Sequence, residues 1–193
     1  KALRRQLPPK IEVVEIDWIH GPQFDLTKRS FQRFVLGLIK RGRVLMVWIG
    51  TPRSSWSRAR RGGGYGPPPL RDNTFIWGLP DLSESDAHKA HVGNVLLKFT
   101  AAVFRLCIQL RIPVVLENPL TSMLWVSPPI RHLLQHRHVM HEYTDFCQEG
   151  CPYRKRTQLM FAFLDVRQCC RQCHSKRGAC SFTGRPHEQL VGT

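Results

Sequence analysis

Two short apolar runs constrain this chain more than any other feature. Residues 43–50 read Arg-Val-Leu-Met-Val-Trp-Ile-Gly and residues 112–116 read Ile-Pro-Val-Val-Leu. Strands without polar alternation are expected to be buried on both faces, and such strands belong to sheets covered by crossover helices. Each run closes on a proline-bearing turn. The first leads into Gly50-Thr51-Pro52-Arg53-Ser54-Ser55-Trp56-Ser57, the second into Glu117-Asn118-Pro119. Helical periodicity lies between and before them. Phe31, Phe34, Val35, Leu38 and Ile39 fall on one face of a helix over residues 28–41, with Thr27 as its N-cap and Gly42 as its stop. Val92, Val95, Leu96, Phe99, Val103, Leu106 and Leu110 mark a second helix over residues 86–110.

Residues 11–17, β-branched and ending in Asp17, read as a further strand. Residues 129–136 read as a short helix. Residues 139–146 and 157–163 read as a strand pair about a Gly150/Pro152 turn. Residues 51–71 differ in texture: Arg53, Arg58, Arg60, Arg61 and Arg71 surround a triple glycine and a triple proline. That segment is expected to be a basic mobile loop rather than a packed element. The order of strands and helices predicts an α/β protein with a three-layer sheet. Ligands of such sheets sit beyond the C-terminal strand ends, where Asp17, Asp25, the Gly50–Ser57 turn and Glu117 all fall. At 193 residues the chain suits one domain, residues 1–163, followed by a Cys- and Arg-rich tail, residues 164–193. It opens Lys1-Ala2-Leu3-Arg4-Arg5, without Met and without a signal peptide, which reads as a fragment.

Charge narrows the partner. Lys and Arg number 29 against 14 Asp and Glu, a formal net charge of +15. That excess favours a polyanion, nucleic acid first and an anionic membrane surface second. No apolar run reaches the roughly 18–20 residues of a membrane span. The expected partner is therefore nucleic acid, with DNA the foremost case, and no membrane.

Seven cysteines, six of them after residue 146, fit a reduced, intracellular chain better than a disulfide framework. Cys170-x2-Cys173, followed by Cys180 and His187, can supply four zinc ligands. Cys169, His174 and the Cys147/Cys151 pair compete for the same role, and a set of reduced, partly buried thiols is the other reading.

Chemistry concentrates at the strand ends. An acid such as Asp17 can accept hydrogen bonds from ribose hydroxyls, and Asp25 can face an adenine amino group or simply serve a turn before a helix. A carboxylate at Glu117 can hydrogen-bond a ring nitrogen or act as a capped structural acid. Together these segments resemble the DNA cytosine-C5 methyltransferases, especially compact, phage-like forms with a Gly-Thr-Pro-Cys-x-x-(Phe/Trp)-Ser loop. The resemblance spans about residues 11–163. It implies a Rossmann-like S-adenosylmethionine-dependent methyltransferase sheet, truncated at the N-terminus. Gly50–Ser57 resembles the catalytic loop, with Pro52 and Ser57 in place, and Glu117-Asn118 resembles the pair whose acid engages cytosine N3. Asp17 and Asp25 resemble the acids contacting the ribose and adenine of S-adenosylmethionine, with Pro52 beside that cofactor. Gln148-x-Gly150-x-Pro152-Tyr153-Arg154-Lys155-Arg156 resembles the later basic motif. The implied nucleic-acid contacts are Ser57, Arg58, Arg60, Arg61, Arg154, Lys155 and Arg156.

One departure decides the expected activity. The family's nucleophile is a Cys directly after the loop proline, and Arg53 stands there. A thiolate attacks C6 of cytosine, whereas a guanidinium stays protonated and cannot. The family's glycine-rich cofactor motif would precede Lys1. The expectation is a methyltransferase-like domain without the covalent chemistry, or else a non-enzymatic basic nucleic-acid-binding module, intracellular and, in a eukaryote, nuclear.

Overall fold

The computed structural model describes residues 11–52, 54–58, 67–175 and 178–189. Four strands form one mixed sheet in the order β1-β2-β4-β3. They are β1 (Val47–Gly50), β2 (Val114–Pro119), β3 (Val139–Asp145) and β4 (Arg156–Ala162). β1 and β2 are parallel, from Val47 opposite Val114 to Gly50 opposite Glu117. A parallel pair needs a long crossover, and the helix α2 (Glu84–Leu110) lies in that connection. β4 runs antiparallel to both β2 and β3. Helices α1 (Arg29–Lys40) and α3 (Pro128–Leu134) complete the set.

The helix ends follow local chemistry. Arg43 N–H donates to Leu38 O and Gly42 N–H to Ile39 O, with Gly42 at φ 68°, which closes α1 in a Schellman turn that glycine adopts without strain. Lys28, rather than Thr27, occupies the N-cap of α1, because the Thr27 hydroxyl is bonded to Asp25. Ser83 caps α2 through the Asp86 N–H, and Glu84 and Asp86 sit in its first turn, where acids favour the helix dipole. α2 is long and apolar enough to cross a membrane by length and hydropathy. Here Leu97, Phe104 and Cys107 from it are fully buried in the main core, as expected of a central core helix.

The two faces of the sheet are covered unequally. Val114, Leu116, Met160 and Ala162 join residues of α1, α2 and α3 in the main core. Val115, Leu159 and Phe161, which alternate with them, pack instead against Val166, with Leu164 and Cys170 beside it. All three helices thus lie on one face, and the tail covers part of the other, so the expected third layer of helices is absent among the described residues. The tail accordingly acts as part of the fold.

Three further expectations change. Residues 11–17 form no strand: Val14 is 66% exposed, and no described strand pairs with it. Only residues 47–50 of the predicted 43–50 strand join the sheet, and Trp48 is 55% exposed. β1 is an edge strand whose Val47 and Ile49 face the core while Trp48 faces outward. Finally, the segment expected to be an unpacked basic loop contributes Trp56, Leu70 and Arg71 to the interior.

Candidate functional site

The parallel pairing brings the two proline turns to one end of the sheet. Gly50 lies opposite Glu117 in register, so Pro52 and Glu117 share that end. The Asn118 side-chain amide donates to Thr51 O at 2.7 Å, which ties the turn after β1 to the end of β2. The hydroxyls of Thr51 and Thr100, the latter on α2, are 2.7 Å apart. Beyond them Trp56 is fully buried and donates from Nε1 to Gly93 O at 3.2 Å. An ideal Cβ on Gly93 would lie 3.1 Å from that nitrogen and would collide with the Ser55 hydroxyl, so only glycine lets α2 approach this turn.

Arg71 locks the arrangement. Its guanidinium lies 3.6 Å from the Trp56 ring centroid. It donates to Ser55 O, Ile76 O, Ala90 O and Asn94 Oδ1. Burial draws its pKa down to about 10, which leaves it cationic at neutral pH. Ser57 and Arg58, both half-buried, line an adjoining hollow of about 200 Å³ with Arg71, Asp72 and Met123. Arg53, Arg60 and Arg61 lie outside the described residues.

Glu117 is half-buried, and its carboxylate is 3.5 Å from Lys155 Nζ. The same ammonium sits 4.4 Å from the Phe146 ring centroid, a cation–π contact. Lys155 thus brings the later basic motif to the acid of β2. Its neighbours are turned to a different task. Arg156 forms two hydrogen bonds to the fully buried Asp145 carboxylate, at 3.1 and 2.9 Å. Arg154 lies 3.4 Å from Asp145 and donates to Cys173 O and Ser175 Oγ. Burial pushes the Asp145 carboxyl up, but the Arg156 hydrogen bond, the Cys173 N–H and the two guanidinium charges outweigh it and hold it below its ordinary value.

The two acids read as cofactor ligands are engaged close to home. Asp17 is exposed, and its Oδ1 caps a short 3-10 turn through Ile19 N–H. Asp25 Oδ1 accepts from the Thr27 hydroxyl at 2.6 Å and from Thr27 N–H at 2.9 Å. Those bonds hold its carboxyl below the ordinary value, the hydroxyl contributing most. In each case Oδ1 serves the turn around it.

A second site forms where the tail meets the sheet. Sγ of Cys147, Cys173 and Cys180 and a ring nitrogen of His187 all lie within 4.8 Å of one another. Cys147 comes from the 3-10 turn Phe146–Glu149 that follows β3, and the other three come from the tail. Cys170 takes no part: it packs beside Val115, Phe161 and Val166 on the open face of the sheet. Three of the four zinc ligands expected from the sequence converge, and Cys147 stands in the fourth place. Burial pushes the Cys147 thiol up to about 11. At Cys173 burial acts the same way, but the Ser181 N–H and hydroxyl more than reverse it, to about 7. The Thr183 N–H does most to bring Cys180 to about 7, against the effect of burial.

Sequence reasoning missed Arg71 and Gly93. A glycine in the middle of a long apolar helix was the available signal for the second, since it costs helix stability unless packing demands it. No sequence signal separates Arg71 from the other arginines of its segment. No protein-family profile, curated protein or solved structure matches this chain.

Proposed function

We propose that this chain is a DNA (cytosine-C5) methyltransferase-like domain that binds nucleic acid at the C-terminal ends of β1 and β2, without methylating cytosine by the covalent route. The observation that carries this reading is the register of Gly50 with Glu117 and the Asn118 amide on Thr51 O. Two motifs some 65 residues apart (Thr51 and Asn118 are 67 positions apart) are held side by side by this contact. In that setting the Glu117 carboxylate can accept from the exocyclic amino group of an unstacked cytosine, and when protonated it can donate to N3. Lys155, 3.5 Å away, is a cation suited to the phosphate that accompanies the base. Attack on C6 requires a thiolate after Pro52, and Arg53 offers only a fixed positive charge.

The test uses oligonucleotides carrying 5-fluorocytosine together with S-adenosylmethionine: once a methyl group has been transferred to C5, fluorine there cannot leave as the proton would, and the covalently attached enzyme is not released. The chain is expected to bind such a strand with no denaturant-stable adduct, and an adduct would overturn the non-covalent reading. Glu117→Ala, which can neither accept from the amino group nor donate to N3, is expected to abolish any preference for an unpaired cytosine over an unpaired thymine. A preference unchanged by that substitution would remove Glu117 from the site. The local engagement of Asp17 and Asp25 favours a second reading, a basic nucleic-acid-binding module with no cofactor pocket. On that reading S-adenosylmethionine leaves the melting temperature unchanged, whereas a clear upward shift would exclude it.

A further inference from the structure

We infer that Cys147, Cys173, Cys180 and His187 bind one zinc ion in a closed, structural site that fastens the tail to the end of β3. The donor set is the first argument. Three thiols and an imidazole suit zinc, a borderline-soft ion that takes Cys3His sets in tetrahedral geometry. Geometry is the second. Zn–S bonds of about 2.3 Å in a tetrahedron set sulfur atoms about 3.8 Å apart. Cys173 Sγ and His187 Nε2 are already 3.6 Å apart, and all four ligand atoms lie within 4.8 Å. An inward movement of an ångström or less closes the site.

The surroundings are those of a thiolate cluster. The three cysteines are 1%, 2% and 4% exposed and form a group of their own, separate from both hydrophobic clusters. Hydrogen-bond donors point at the sulfurs. Ser181 N–H and its hydroxyl lie 3.4 and 3.5 Å from Cys173 Sγ, and Phe182 N–H lies 3.4 Å from Cys180 Sγ. The Gln148 amide lies 3.6 Å from Cys147 Sγ and 3.8 Å from Cys180 Sγ. Donors of this kind orient metal-bound sulfur and offset its charge.

The backbone is arranged for the same end. Cys180 N–H donates to Arg185 O, Gly184 N–H to Cys180 O, and Gly184 takes φ 68°. This tight return carries the chain from Cys180 back to His187. Cys173 N–H donates to the buried Asp145 carboxylate, which joins the tail's first ligand to the strand that precedes Cys147. Four protein ligands leave no position for water or substrate, so the ion would stabilise the fold and activate nothing. The three tail ligands cannot close a four-coordinate site by themselves. The fourth comes from the sheet, and zinc therefore links two parts of the chain 26 positions apart between Cys147 and Cys173.

The experiment measures zinc bound to the full chain purified under reducing conditions without chelator, by inductively coupled plasma mass spectrometry. One zinc per chain is expected. Cys147→Ser is expected to lose it, while Cys170→Ser and Cys151→Ser keep it. Because Cys147→Ser can fail by unfolding, the unsubstituted chain is also loaded with Co²⁺. The expected spectrum combines intense tetrahedral d–d bands with the sulfur-to-metal charge transfer of three thiolates. A metal-free chain with no such spectrum would overturn the proposal. So would a Cys170→Ser chain that loses its zinc while Cys147→Ser retains it, or a disulfide between any two of the three cysteines.

Discussion

Arg71 donates to four acceptors at once while its guanidinium lies against the Trp56 ring. A planar fork with five N–H groups can serve so many oxygens in one place, and a lysine ammonium with three hydrogens cannot. Replacing it by Lys leaves at least one buried carbonyl without a donor, at about 1–3 kcal/mol for each such group. Replacing it by Met strips all four acceptors and is expected to cost about 3 kcal/mol or more. Urea denaturation of the two variants checks this: Arg71→Met should be the less stable, and Arg71→Lys should lie between it and the unsubstituted chain. If both unfold within about 0.5 kcal/mol of the parent, as ordinary surface changes do, the guanidinium carries none of the structure assigned to it. Single residues of this sort are the least legible in a sequence. Arg71 follows a triple proline in a segment of arginines, and what distinguishes it is that Trp56 and the carbonyls of α2 surround it. Asp25 is the opposite case. Its position before a helix allowed a turn role, and the Thr27 hydrogen bonds are that role.

Helix α2 meets the turn after β1 at Gly93, and two effects compete there. Alanine favours the helix over glycine by roughly 1 kcal/mol. Its methyl group, however, would collide with the Ser55 hydroxyl and lie 3.2 Å from Ser55 Cβ and 3.1 Å from Trp56 Nε1. The hydroxyl can rotate away, but Trp56 is fully buried and bonded to Gly93 O, so it has no space to retreat into. Overpacking of this kind costs about 1–3 kcal/mol, and it should win. Gly93→Ala is expected to lower the melting temperature, and adding Ser55→Gly should recover part of the loss. A Gly93→Ala chain more stable than its parent would mean that the turn does not rest on α2. At this scale the sequence carried a good deal. The long helix, the buried strand β2, the short helix α3 and the β3–β4 pair follow from periodicity and from the turn around Gly150. What failed was the strand at residues 11–17. A β-branched run becomes a strand only when another strand pairs with it, and none does among the described residues. The exposed face of β1 has the same origin. Its apolar run matches a strand buried on both sides, but it forms the sheet edge and nothing described covers Trp48.

Over the whole molecule the question is where a net charge of +15 acts. The total was legible at once, but which cations are free to meet phosphate depends on pairing that composition cannot reveal. Arg154 and Arg156 belong to the basic motif by sequence, yet both sit on the buried Asp145 carboxylate, and Arg154 also holds the tail at Cys173 O and Ser175. Asp145 answers one of their two charges, and its carboxylate fixes both guanidinium groups within the fold. Arg58 lies beside the hollow next to Ser57, and Arg60 and Arg61 follow it in the sequence. If these three contact phosphates, each releases counterions on binding, and log affinity falls against log salt with a slope of about −0.9 per phosphate on duplex DNA. Replacing Arg58, Arg60 and Arg61 by Ala is therefore expected to flatten the slope by up to about 2.7, three contacts at that rate, with little change in melting temperature. Arg156→Ala should do the reverse. Removing one partner from a buried, hydrogen-bonded carboxylate is strongly destabilising, so the melting temperature should fall while the salt slope, measured well below it, stays near that of the parent. Fluorescence anisotropy across a salt series, paired with thermal unfolding of the same samples, separates the two groups. A steepness that drops with Arg156 and holds without Arg58, Arg60 and Arg61 would move the nucleic-acid contact from residues 58–61 to the start of β4.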